Sequence, residues 1–201
     1  MSQLIILFYQ ESKPTSNQSV DEGTYANGYL RSHILQKAAV DRYRLTLVDL
    51  VLVSNFKGGS ATIAEPPDCL RRKLQAYDDI LFCIGKEFDQ KQLADIHEKE
   101  LTRLIERASS FCQLTRSQDT KIDGFGPSYA TALLNANFPE LLPILDKRGL
   151  SGANVQNVQT DTQGQVKLIE SHYPDLIRYF QQRTKPGVMT LENVDKEIFG
   201  L

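Results

Sequence analysis

Apolar residues recur at three- and four-residue steps along much of this chain, a spacing that predicts helices rather than strands. The clearest stripe runs from Asp89 to Cys112. Leu93, Ile96, Leu101, Leu104, Ile105, Ala108 and Phe111 share one face there, and charge fills the other. Tyr25 to Ala39 reads as a helix with Tyr29, His33 and Lys37 on one side and Leu30, Ile34 and Leu35 on another. Tyr43 to Phe56 is so rich in Leu and Val that its period does not decide between a buried helix and a strand. Asp68 is placed to cap a helix over Cys69 to Ile84. Further helices are expected over Pro127 to Ala136, Gln165 to Ser171, Pro174 to Arg183 and Leu191 to Phe199, with Pro127 and Pro174 at helix starts.

Between these stripes lie breakers. They are the polar stretch Glu11 to Gly23, Lys57-Gly58-Gly59-Ser60, Glu65-Pro66-Pro67-Asp68, the polar loop Gly149 to Gly164, and Lys185-Pro186-Gly187. Phe138-Pro139-Glu140 starts a short helical turn that Pro143 ends. The expected fold class is mainly α, a multi-helical domain. Residues 1–60 form an N-terminal helical extension, separate or part of the same domain, and residues 61–201 form the main helical domain.

Composition narrows the classes. Apolar residues make up 41% and charged residues 24% of 201 residues, as in ordinary globular proteins. Lys and Arg total 23 against 25 Asp and Glu, a formal charge of −2 that argues against a dedicated, strongly basic duplex binder but permits a local basic face. Cys69, Cys83 and Cys112 are widely spaced and odd in number, which disfavours a disulfide framework, zinc or an iron–sulfur cluster. They read as small buried hydrophobes in a reducing compartment. No apolar run approaches a membrane span, and Leu4 to Tyr9 lacks the basic residues and length of a secretory signal, so the expected location is the cytoplasm.

Candidate chemistry concentrates between Ile122 and Leu134, I-D-G-F-G-P-S-Y-A-T-A-L-L. Gly124 and Gly126 suit a tight turn that needs positive φ, and Pro127 suits a first helical position. Such a turn points backbone N–H groups outward at the positive end of a helix dipole, a geometry that binds phosphate. Elsewhere His33, His97 and His172 stand apart from any metal-ligand spacing, and Lys57-Gly58-Gly59-Ser60 lacks the ending of a phosphate loop.

Residues 122–148 resemble the helix-hairpin-helix core of the base-excision DNA glycosylases. The hairpin is Gly124-Phe125-Gly126, the following helix carries Ala130, Leu133 and Leu134, and the loop Asn137 to Pro143 leads through Ile144-Leu145 to Asp146. The run F-P-E-L-L-P-I-L-D is also similar to uncharacterised bacterial relatives of these enzymes, as is the terminal L-x-x-x-D-K-x-x-F from Leu191 to Phe199. The resemblance covers roughly the C-terminal half. It implies a glycosylase-like fold, a role in DNA repair, DNA as partner and no cofactor or metal. Family lyases carry a Lys two residues after the second hairpin glycine; Ser128 stands there, so any enzyme would be a monofunctional N-glycosylase without lyase activity. The family's four-cysteine cluster and the glycine before the catalytic Asp are also absent.

The resemblance assigns phosphate contacts to Lys121, Gly124, Phe125, Gly126, Ser128, Lys147 and Arg148, and catalysis to Asp146. Asp146 would stabilise an oxocarbenium-like sugar or activate water at a flipped nucleotide. Each site has a plainer alternative. The hairpin serves equally as a helix connection, Asp146 as a helix cap or a partner of Arg148, and Lys147 and Arg148 as a solvated turn. Tyr25, Tyr29, Tyr43 and Tyr129 are candidate base-stacking groups or core residues. The rival function is a non-catalytic protein-interaction or defence-system accessory subunit on the same fold.

Overall fold

Local signals account for most helix starts. The computed structural model of the chain describes residues 29–56, 63 and 65–199. Helix α1 covers residues 29–36, and α2 follows at Leu47–Phe56. Ahead of α2, the Thr46 N–H and hydroxyl both donate to Asp49 Oδ2 at 2.7 Å, which ties the entering chain to the first turn. Helix α3 spans Pro67–Phe88 with Pro67 at its start, where a missing N–H has no intrahelical partner to lose. Helix α4, Glu98–Leu114, opens on a reciprocal cap between His97 and Glu100. Helices α5 (Pro127–Asn137), α6 (Lys147–Gly152), α7 (Tyr173–Arg183) and α8 (Leu191–Phe199) complete the order. Among the described residues there is no strand, only isolated bridges, so the fold is mainly α as expected.

Several boundaries differ from the sequence reading. The stripe from Asp89 to Cys112 is not one helix. Gln90 has φ 59°, a short 3-10 turn covers Leu93–Asp95, and the His97 cap restarts the chain as α4. Leu93 and Ile96 are nonetheless buried, so the apolar spacing reported burial without helical continuity. Asp68 lies in the first turn of α3 rather than capping it. The ambiguous Leu/Val stretch is helical from Leu47. The expected loop at Gly149 is helical to Gly152. Gln165 to Ser171 is not a regular helix: Thr160 bridges Val166 and only Ile169–His172 forms a 3-10 turn. Residues 138–141 form a turn without helix. The breakers Glu11 to Gly23 and Lys57 to Ser60 and the run Leu4 to Tyr9 lie outside the described residues.

Helix α4 sits centrally, packed on α3, α5 and α7. Helix α5 is buried from Ala130 to Asn137, which leaves it no polar face to present. Its Asn135 and Asn137 side-chain N–H groups donate to the Leu142 and Leu133 carbonyls, each at 2.9 Å, while Asn137 Oδ1 is buried without a partner among the described residues. Helix α2 packs on α5, and Leu30, Ile34, Leu45, Leu50 and Val53 join the same core as Leu104, Phe111 and Leu133. The Tyr43 ring lies over Gly85 of α3 and stacks on Phe138 at 5.7 Å. Gly152 of α6 meets Ile198 of α8 with no room for a side chain.

Candidate nucleic-acid interface

The hairpin at Ile122–Gly126 is built from the inside. Ile122 and Phe125 are buried and face each other as an antiparallel bridge, with the Phe125 N–H donating to the Ile122 carbonyl at 3.0 Å. The Phe125 ring meets the Tyr77 ring edge-on at 5.8 Å and stacks on Tyr129 at 6.4 Å. Phe125 therefore anchors the turn: its side chain is in the core and its N–H is spent on the turn itself. Between the anchors, Asp123 and Gly124 are exposed.

The two glycines do different things. Gly124 has φ 81°, the left-handed region that a side chain strains. Gly126 has φ −94° and ψ −179°, extended backbone open to any residue, so the expectation of a special conformation there is corrected. A Cβ built on Gly126 meets nothing within 4 Å. Neither conformation nor packing demands a glycine at position 126, the residue that leads into α5.

Ser128 and Thr131 tie α5 to the segment before Asp146. The Ser128 hydroxyl donates to the Leu145 carbonyl at 2.9 Å. The Leu145 N–H donates to the Thr131 hydroxyl at 2.9 Å, and that hydroxyl donates in turn to the Ser128 carbonyl at 3.1 Å. This lattice sets the start of α6 beside the start of α5. Asp146 is there the N-cap of α6, its Oδ1 accepting the Gly149 N–H at 2.7 Å. The capping alternative for Asp146 is thus what the backbone displays.

Charge around the hairpin is mixed. Lys121, Lys147 and Arg148 are exposed. Lys147 Nζ donates to the Gly164 carbonyl at 3.0 Å and so reaches across to the following loop. The carboxylate of Glu65, which the sequence reading left out of the site, is ion-paired with Lys73. The hydrogen bond from Lys73 is the main cause that holds the Glu65 carboxyl below the usual carboxylate range, and Lys121 adds to it.

Three hollows stand out among the described residues. The largest, about 750 Å³, lies among α1, α2 and α3 and is lined by Lys37, Leu47, Leu70, Leu74 and Asp78 with their neighbours. None of the three is lined by Asp146 or by a hairpin residue. Of the candidate stacking tyrosines, Tyr29 is exposed, Tyr43 and Tyr129 pack on phenylalanines, and Tyr25 lies outside the described residues. Among the described residues no group of His, Cys, Asp or Glu is arranged to hold a metal ion, and no helix is long and apolar enough to cross a membrane. Cys112 is buried, Cys69 and Cys83 are half-buried, and all three are free thiols.

No protein-family model, curated protein or solved structure matches this chain. The resemblance to helix-hairpin-helix proteins accordingly rests on sequence motifs alone.

Proposed function

We propose that this chain binds the phosphate backbone of DNA, independent of sequence, through the hairpin Ile122–Gly126 and the start of α5. The observation that carries this reading is Gly126. Its extended backbone and open surroundings give the fold no reason for a glycine, whereas close approach of a phosphate to the α5 N-terminus does. Gly124 supplies the turn, Lys121 a cation beside it, and Lys147 and Arg148 further cations at the start of α6, which the Ser128–Leu145 bond holds against α5. These groups position a duplex and read no bases.

In this reading Asp146 is structural and the protein is non-catalytic. The carboxylate caps α6 and lines none of the three hollows, whereas base excision needs a pocket for a flipped nucleotide. A monofunctional N-glycosylase is the second reading, favoured by one observation: the Ser128–Leu145 bond brings the residue before Asp146 to the hairpin, as that chemistry requires.

Titration of a fluorescently labelled short duplex, with and without an abasic-site analogue, over a range of salt concentrations separates the readings. Affinity that falls with salt, equal for both duplexes and unchanged in Asp146→Asn, supports the backbone-binding reading. A preference for the abasic analogue that Asp146→Asn abolishes supports the glycosylase. No binding at low salt defeats both.

A further inference from the structure

We propose that the hollow between the end of α3 and the end of α5 binds a small single-ring amide, a molecule that presents an N–H beside a carbonyl. The hollow measures about 200 Å³, and Arg42, Phe88, Asn137 and Phe138 line it together with Asp89 and Glu140. It lies at the opposite end of α5 from the hairpin, roughly 15 Å along the helix, so the inference stands apart from DNA binding.

Two polar atoms of this wall are buried without a hydrogen-bond partner among the described residues. One is Oδ1 of Asn137, a residue only 4% exposed. Its orientation is set, because the side-chain NH2 donates to the Leu133 carbonyl at 2.9 Å and an oxygen turned there would face another acceptor. The other is Nε of Arg42, which is half-buried with its guanidinium over the Tyr43 ring at 5.6 Å. The wall therefore carries one unused acceptor and one unused donor, and each left unmet is costly. A ring amide answers both: its N–H donates to Asn137 Oδ1 and its carbonyl accepts from Arg42. Arg42 is the long, half-buried member of the pair; it turns to admit the ring and closes on the carbonyl. Phe88 and Phe138 give the ring apolar walls. A cavity of about 150 Å³ accepts benzene, so this space suits one ring and little more. Asp89 and Glu140 disfavour a multiply charged anion such as phosphate.

The probe is α-pyridone, whose N–H and carbonyl are adjacent. N-methyl-α-pyridone keeps the ring and carbonyl and lacks the donor. Each is titrated into isotope-labelled protein and followed by nuclear magnetic resonance. The α-pyridone is expected to bind with a Kd on the order of millimolar, as suits a ligand of about seven heavy atoms, and to move the amide signals of Gln90, Lys91 and Leu141 and the Arg42 Nε–H signal. The N-methyl compound is expected to bind at least about tenfold more weakly. Arg42→Met and Asn137→Leu are each expected to weaken α-pyridone at least about tenfold, and Asn137→Leu to stay folded, since it removes an unmet buried oxygen. Should Asn137→Leu fail to fold, Arg42→Met decides alone. No shift up to about 50 mM, equal binding of the two pyridones, or unchanged affinity in either folded variant overturns the proposal and leaves DNA binding untouched.

Discussion

The Ser128 hydroxyl donates to the Leu145 carbonyl at 2.9 Å, so the second residue of α5 holds the residue that precedes the α6 cap. Thr131 completes the tie from one turn further on, accepting the Leu145 N–H while fully buried. Thr131→Val keeps the shape and leaves that N–H buried without a partner, which is expected to cost about 1–3 kcal/mol. Ser128→Ala, at a half-buried site, is expected to cost about 1 kcal/mol or less. Denaturant midpoints check the order; a larger loss in Ser128→Ala would contradict it.

The two hairpin glycines should separate in stability measurements. Gly124→Val places a branched side chain at φ 81° and is expected to cost about 1–2 kcal/mol. Gly126→Val enters extended backbone with open space and is expected to change stability by no more than about 0.5 kcal/mol. Thermal denaturation of both variants is the check, and a large loss in Gly126→Val would mean that the fold itself uses that glycine.

Gly85 reverses a common expectation. Glycine to alanine inside an exposed helix usually stabilises by about 1 kcal/mol. Here the new Cβ would collide with Cζ of Tyr43, whose ring is stacked on Phe138. Gly85→Ala is expected to destabilise by about 1–3 kcal/mol. In a Tyr43→Leu background the same change should cost much less, as a double-mutant cycle by denaturant unfolding would show.

The sequence reading succeeded where helices are amphipathic and bounded by local chemistry. Pro127 and Pro174 are visible in a short window, and α4, α5, α7 and α8 fall close to where periodicity puts them. It overran at Asp89, because Leu93 and Ile96 are buried by tertiary packing outside any helix. It missed α6, whose six residues include two glycines and carry too little apolar period to register. At the site, the turn at Gly124 was legible from composition. The core packing of Phe125 was not legible, since an apolar residue between two glycines gives no hint that Tyr77 waits in the core. The Glu65–Lys73 ion pair was invisible for the same reason, since only the fold assembles it.

Asp78 gives the account a pH dependence. Its carboxyl is raised to about 6, chiefly by burial and to a lesser degree by Asp79, with the Leu45 N–H, Lys37 and Arg44 opposing. A folded value above the unfolded one means that the stabilising contribution is complete below about pH 4 and is lost as pH rises through about 6. Asp78→Asn retains an oxygen for the Leu45 N–H, 2.7 Å away. It is expected to stabilise the protein by about 1 kcal/mol above pH 7, a figure reduced for partial exposure, and by less near pH 4. Tm measured at the two pH values tests this; an equal gain at both would contradict it.

The most direct test of the central claim compares Gly126→Val with the unmodified chain in a fluorescence anisotropy titration of a labelled duplex at low salt. Phosphate approach to the hairpin predicts that the variant, folded and equally stable, binds at least about tenfold more weakly and with a shallower salt dependence. Equal affinity and equal salt dependence in a folded variant would contradict it and remove the hairpin as the DNA-contacting element.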